Sequence, residues 1–284
     1  MNIAAISFVS GLAVLFPITV GALLSDKSGY LNIGLEGYLN LGAFLYFLLR
    51  AHMLSVPAFL LSLIILVSFA LFFEYYSMIF AVNHYITGLV INLLVQGLIP
   101  IISELTFATK GSIFKAETAS RYIVQFMSAK STYGGLRMTE IVALGSGVLG
   151  LVYLSTTTHG IRIAVMGNNA KALELAGVNT RAMRLEATAV TAMLAACSGV
   201  AMIGSLGAWI PNMASGRGWI ALVLVYLGQR SEMGVVVSCV LFIVFQVLTM
   251  DFQKYSMLMT EFLMAAPYLV ISIFIVLYSI SKKS

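Results

Sequence analysis

Residues 28–37 read SGYLNIGLEG. The stretch holds three glycines, an asparagine and a glutamate, with Asp26 and Lys27 just before it. Apolar runs flank it on both sides. What a glycine-broken, charged segment does in so oily a neighbourhood decides how the chain folds.

Of the 284 residues, 60% are hydrophobic and only 10% charged. Soluble domains carry roughly 25% charged residues, so lipid is the expected solvent for most of this surface. Ten-residue stretches of strict apolar/polar alternation do not recur, which argues against a transmembrane barrel. Helices satisfy their own backbone groups in hydrocarbon, so the long apolar runs imply an all-α polytopic membrane protein. The net charge of +5 comes from scattered lysines and arginines, which excludes nucleic acid as an expected partner. Cys197 and Cys239 lie inside apolar runs and read as small core residues. No lysine or arginine precedes Lys27, so the first run lacks the basic flank of a cleaved signal and reads as a retained span.

A span needs about 20 apolar residues. Nine are expected, over 5–24, 34–50, 55–80, 85–103, 138–158, 186–207, 209–228, 234–250 and 259–280, in a single transmembrane domain covering 1–284. The seventh is continuously apolar only in its second half, so it reads as a broken or re-entrant helix as readily as a full crossing. Two hydrophilic stretches remain, an external loop over 104–137 and a second over 159–185. Lysines and arginines divide eight to eight between the two sides, so the positive-inside rule does not orient the chain. The uncharged start and the lysines at 282 and 283 favour an outside N-terminus and a cytoplasmic 159–185 segment.

Within that segment, NNAKALELAGV reads as a short helix with Asn169 as N-cap and Gly177 as its stop. Ala172, Leu173, Leu175 and Ala176 give it apolar surface. A two-turn helix alone in water is marginal, so it must pack on something. It is either a linker lying on the bilayer or a docking helix seated in a groove of a cytoplasmic partner.

The segment GIRIAVMGNNAKALELAGVN resembles the cytoplasmic loop of ABC importer permeases of the branched-chain amino acid and ribose superfamily. The matching positions are Gly160, Arg162, Gly167, Asn169, Ala172, Gly177 and Val178. Ala164–Val165 departs from the pattern, where many relatives carry a second arginine and an alanine. Three further stretches, SDKSGYLNIGLEGYLNLGAF, NHYITGLVINLL and NMASGRGWIALVLVYLG, are similar to elements of permeases for nucleoside-type importers served by lipoproteins of the basic membrane protein type. Asp26 stands where the first of these elements usually has glutamate. The four motifs occur in order from Ser25 to Gly228.

The resemblance implies a type II importer permease fold with about nine transmembrane helices, broken helices and a pseudo inverted repeat, spans 1–4 against 6–9. It also implies a bacterial inner-membrane location, a second permease (forming a heterodimer), a cytoplasmic ABC ATPase and an external binding lipoprotein. ATP and magnesium belong on the ATPase, and no cofactor is expected in this chain. Asn169, Ala172, Leu173, Leu175 and Gly177 become the ATPase coupling helix. The implied cargo is a nucleoside or similar heterocycle, with riboflavin, a sugar or a branched-chain amino acid as alternatives.

The opening stretch then reads as a break between two helices, bracing or lining the pathway. Candidate pathway groups are Asn32, Glu36 and Asn40 here, Asn92 and Gln96 four apart on the fourth span, and Arg217. Glu36 is open to two readings: an intramembrane functional acid, or a group that caps a helix N-terminus. Arg217 either meets a ligand with its planar fork or pairs with a helix end. The 17 Phe, 13 Tyr and 2 Trp suit either a stacking surface or, for Tyr and Trp, the membrane interface. An ion-coupled carrier working alone, or an intramembrane enzyme, would be rivals of another class. The carrier needs titratable midplane groups, and Glu36 and Glu74 show no basic partner in the sequence. No Gly-Lys pair occurs anywhere, so a phosphate-binding loop is missing and the chain is not itself an ATPase.

With this topology, Lys171→Cys in intact cells reacts with a membrane-impermeant thiol reagent only after the membrane is opened, whereas Asn2→Cys reacts from outside. Labelling of position 171 in sealed cells would reverse the assignment.

Overall fold

The computed structural model describes residues 3–114, 132–133 and 136–253. Nine helices account for nearly all of this: α1 (Ile3–Lys27), α2 (Leu35–Arg50), α3 (Ser55–Ile79), α4 (His84–Phe107), α5 (Met138–Thr156), α6 (Thr158–Leu175), α7 (Thr180–Leu206), α8 (Arg217–Leu227) and α9 (Glu232–Gln253). Two-residue strands β1 (Thr132–Tyr133) and β2 (Leu136–Arg137) form a small antiparallel hairpin before α5.

Six of the helices, α1, α3, α4, α5, α7 and α9, are long and apolar enough to cross a membrane. Two expected spans are shorter than that. Over 34–50 the helix has 16 residues, about 24 Å at 1.5 Å per residue, against a hydrocarbon core of about 30 Å. Over 209–228 only the last 11 residues before Gly228 are helical, so the broken form of the seventh span is the one adopted. The ninth span, 259–280, and residues 115–131 and 134–135 of the external loop lie outside the described residues.

The short helix α2 is the centre of the fold. Of its 16 residues, 14 are buried, including Glu36, Asn40 and Arg50. Protein, not lipid, therefore surrounds it. Beside it runs α7, whose stretch ATAVTAMLAACSGVAM is rich in Ala, Ser, Thr and Gly. Small side chains let α1, α2, α3 and α5 all pack on α7, the usual solution where no water is present to drive helices together. Cys197 and Cys239 are buried in this packing as free thiols. The outer helices show the opposite pattern. Leu60, Ile64 and Phe72 on α3, Val148 and Leu149 on α5, and Val237, Leu241 and Leu248 on α9 are all exposed, as a lipid-facing surface requires.

Order and length repeat along the chain. A 25-residue helix, a break, a 16-residue helix and a 25-residue helix open it. A 27-residue helix, a break, an 11-residue helix and a 22-residue helix follow from α7. The second set runs opposite to the first. Trp209 packs on Phe44 with ring centroids 5.0 Å apart, Asn212 meets Asn40, and Gly216 meets Glu36, so residues 209–216 travel down α2 from its middle to its first turn. From there α8 leads into the turn that carries Arg230, which pairs with Asp26 at the end of α1. Lys27, α6 and the α8–α9 turn thus gather at one end of the molecule, and Arg137, Trp209 and the hairpin at the other. Trp209 and Ile113 exchange backbone hydrogen bonds of 2.8 and 3.1 Å, tying the start of the external loop to the second break.

Gly34 lies where the first break enters α2. A Cβ there would sit 3.4 Å from the Cα of Gly88 on α4 and 3.2 Å from Asn32 Oδ1. A leucine has no room to lie between those backbones, and overpacking typically costs about 1–3 kcal/mol. Gly34→Leu is therefore expected to insert normally but to lower the melting temperature of the purified protein and abolish uptake. Wild-type uptake at normal expression would place the break at the periphery.

Candidate functional site

The two breaks meet in the middle of the molecule, and polar side chains satisfy the backbone groups that the breaks release. In the first, Asn32 Oδ1 accepts from Gly34 N at 2.9 Å. Asn92 reaches in from α4, accepting from Gly37 N at 2.7 Å and donating to the Ile33 carbonyl at 3.0 Å. One amide side chain thereby takes up both a freed donor and a freed acceptor, which helix interruption at membrane depth demands.

Glu36 faces the second break. Its carboxylate accepts from Gly216 N at 2.7 Å and Gly218 N at 2.8 Å, and it is 4% exposed. Both donors belong to the N-terminal turn of α8, and Glu36 itself stands in the first turn of α2. A single negative charge therefore complements the positive ends of two helices whose N-termini face each other. Gly218 makes the approach possible, because a Cβ there would overlap the backbone of Glu36. One helical turn further along α2, Asn40 accepts from Ala214 N at 3.0 Å and donates to Asn212 Oδ1 at 3.1 Å. The hydrogen bonds of Glu36 thus go to the start of the partner helix α8, and the N-terminus of α2 itself has no side-chain cap bond.

The remaining two candidates of the pathway set differ from each other. Gln96, although one turn from the buried Asn92, is exposed. Arg217 is half-buried and its guanidinium donates to the Met213 carbonyl at 2.9 Å. Glu74 differs from its sequence reading. It is buried on α3 with Arg184 Nε of α7 at 3.2 Å and His84 Nδ1 at 3.6 Å. The same arginine lies 4.9 Å over the ring of Tyr30, whose hydroxyl is 2.6 Å from Thr188 Oγ1. That basic partner is far along the chain and arrives only through packing of α7, so no local pattern could announce it.

Below the first break sits the 159–185 segment. Helix α6 is kinked within its length: Asn169 has φ −154° and ψ 86°, so a second short helix starts there, and Asn169 Oδ1 accepts from Ala172 N at 3.1 Å. It closes at Gly177, φ +78°, where Val178 N donates to the Leu173 carbonyl at 3.0 Å, a left-handed helix stop. Leu173 is buried and anchors the helix to the fold. Leu175 is 90% exposed and Ala172 is exposed beside it, so a hydrophobic face points away from the protein.

The kinked helix is joined to the first break by backbone. Gly29, at φ +96°, and Gly167 cross so closely that a Cβ on Gly29 would lie 3.0 Å from the Cα of Gly167, and one on Gly167 would overlap the Lys27 carbonyl. Lys27 is ion-paired with Glu232, and Asp26 with Arg230. The end of α1 is thus held by the α8–α9 turn and by α6 together. In the sequence Gly29 and Gly167 belong to two separate motifs, and only the fold brings them together. Asn212, with a positive φ of 54°, stands outside the candidate set. Its place in a glycine-rich motif is the sole local signal of its contact with Asn40.

The sequence profile of the family described as branched-chain amino acid transport system / permease component matches residues 2–272. The chain is similar to the nucleoside ABC transporter permease protein NupC of Lactococcus lactis subsp. cremoris, 24% identical over 276 residues, covering 92% of this chain and 87% of the relative. It is also similar to the guanosine ABC transporter permease protein NupQ of Bacillus subtilis, at 23% identity over 78% of this chain and 74% of the relative. A third relative, the putative glucose ABC transporter permease protein TsgC13 of Haloferax volcanii, is 24% identical over 88% of this chain and 77% of its own length. No solved structure matches the chain.

Replacing Glu36 tests the joint directly. Glu36→Ala leaves two buried N–H groups without an acceptor, at about 1–3 kcal/mol each, and is expected to abolish uptake. Glu36→Gln keeps one acceptor oxygen and is expected to retain a measurable fraction of uptake. Equal, wild-type uptake by both variants would show that the carboxylate is dispensable.

Proposed function

The chain belongs to the family of branched-chain amino acid transport system permease components, multi-pass membrane permeases, and we propose that it carries a nucleoside or related heterocyclic solute inward, driven by ATP hydrolysis on a partner subunit. The observation that carries the proposal is the pairing of that membership with an exposed apolar face on the capped helix over 169–177, a face left uncovered among the described residues. Two relatives named for a nucleoside and for guanosine support the cargo. A sugar is the second reading, favoured by the relative named for glucose.

The partners in this reading are a cytoplasmic ATPase, a second permease and an external binding lipoprotein, in the plasma membrane of the cell; ATP and its magnesium sit on the ATPase. Closure of the ATPase pushes on Ala172 and Leu175. Leu173 and the kink at Asn169 pass the displacement to Gly167, and the Gly29–Gly167 crossing passes it to the first break. The Glu36 carboxylate then links that break to α8, so both halves of the repeat move together. Asn32, Asn40 and Asn92 keep the breaks hydrogen-bonded in this scheme, Arg217 adds its bonds to the Met213 and Ala214 carbonyls of the second break, and Gln96 stays on the exposed side of α4. An ion-coupled carrier would not need the docking face at all.

Two substitutions separate docking from transmission. Ala172→Glu places a charge in an apolar contact, which is strongly unfavourable, so the ATPase is expected to be lost on purification and uptake to fall about tenfold or more. Gly167→Ala leaves the docking face intact but cannot fit against Lys27, so the ATPase is expected to remain bound and to hydrolyse ATP without uptake. Retention of both ATPase and full uptake by Ala172→Glu would remove the docking role, and ATPase-independent uptake by the wild-type chain would remove the importer reading.

A further inference from the structure

A cavity of about 410 Å³ lies inside this one chain, at the end opposite Lys27 and α6. Its walls come from the first half of α1, the end of α7, the start of α8 and the second half of α9, with Arg137 at the rim. Volumes of roughly 300–1,000 Å³ with a mainly apolar lining and a few convergent polar groups are those of small-molecule sites. The apolar wall here includes Val14, Leu15, Ile220, Phe242 and Ile243. Arg217, Ser215 and Ser205 face the same space, with Gln246, Ser7 and Ser10.

The hydrogen-bond state of these groups narrows the ligand. Ser205 Oγ donates to the Met202 carbonyl at 2.9 Å and Ser215 Oγ to the Asn212 carbonyl at 3.2 Å. With their protons committed, both hydroxyls present lone pairs and suit a ligand that brings its own O–H donors. Arginines at the wall are donors only and suit carbonyl or ring-nitrogen acceptors. Arg137 has Glu140 Oε1 at 3.4 Å, and the same oxygen accepts from Ser10 at 2.6 Å, so a buried acid offsets the Arg137 charge, while one Arg217 nitrogen donates to the Met213 and Ala214 carbonyls. A strongly anionic ligand is not what this balance selects. The match is an uncharged, flat, hydroxyl-bearing heterocycle.

We propose that this cavity is a solute site within a single permease chain, taking a nucleoside by its ring carbonyls on Arg217 and Gln246 and by its sugar hydroxyls on Ser205 and Ser215. The ligand class rests on the nucleoside reading given above. Occupancy bears on transport because Ser215 and Arg217 flank Gly216, and Gly216 and Gly218 are the groups held by Glu36. A solute seated on Arg217 therefore loads the joint between the two breaks.

The test uses the whole importer, reconstituted with its ATPase and binding protein. Ser205→Cys introduces a reactive thiol at the cavity, whereas Cys197 and Cys239 are buried. Saturating guanosine is expected to slow modification of that thiol by an impermeant methanethiosulfonate about fivefold or more, and leucine is expected to leave the rate unchanged. Ser205→Trp fills the cavity and is expected to lower guanosine uptake about tenfold or more, with the ATPase still bound. Unchanged modification with every solute, or wild-type uptake by Ser205→Trp, overturns the cavity site while leaving guanosine import standing. Protection by glucose and not by guanosine overturns the nucleoside class and keeps the cavity as the solute site.

Discussion

Everything in the centre of this permease depends on one buried carboxylate holding two backbone amides. Glu36 sits among protein at 4% exposure, where an unpartnered charge is prohibitive and an acid must be matched or neutralised. Here the match is Gly216 N and Gly218 N, donors that the first turn of α8 leaves unpaired by necessity. Hydrogen bonds to a charged group contribute about 1.5–3 kcal/mol each, and both bonds are lost together if the helices part. The same contact fixes where α8 starts, which in turn sets the path of residues 209–216 along α2 and the position of Asn212 against Asn40.

From that joint the molecule extends in two directions with different chemistry. Toward Lys27 the connections are stiff: ion pairs from Asp26 and Lys27 to the α8–α9 turn and the backbone crossing of Gly29 with Gly167. Toward Arg137 the packing opens into the cavity between α1, α7, α8 and α9. A stiff end and a hollow end, joined through a single carboxylate, is an arrangement suited to alternating access. The alanine-rich α7 serves both ends, since it packs on α1, α2 and α3 at once.

Much of this is legible in the sequence. The cap at Asn169 and the stop at Gly177 are local hydrogen-bond patterns within a few residues, and such patterns leave a local trace. Long apolar runs likewise mark α1, α3, α4, α5, α7 and α9, because lipid imposes length and composition directly. Sequence is a weaker guide where protein rather than lipid is the solvent. Enclosure makes α2 apolar, and α8 buries Ile220, Ala221, Leu224 and Val225 while Trp219, Val223 and Tyr226 stay exposed; neither setting fixes a length, so 34–50 and 209–228 read as crossings. Glu74 reads as unpaired because Arg184 reaches it only through the folding of α7. Asn92 and Gln96 share a helical spacing, yet Asn92 is buried and Gln96 exposed, a difference set by the position of the first break beside α4. The glycines of SGYLNIGLEG announce a break; what the break presses against is information held elsewhere in the chain.

The most direct test of the Glu36 joint is amide hydrogen exchange at Gly216 and Gly218 in the assembled importer. The account predicts that both amides are strongly protected in the wild type and lose that protection in Glu36→Ala, while amides in the middle of α1 and α7 keep theirs. Unprotected glycine amides in the wild type, or identical protection with and without the carboxylate, would contradict it.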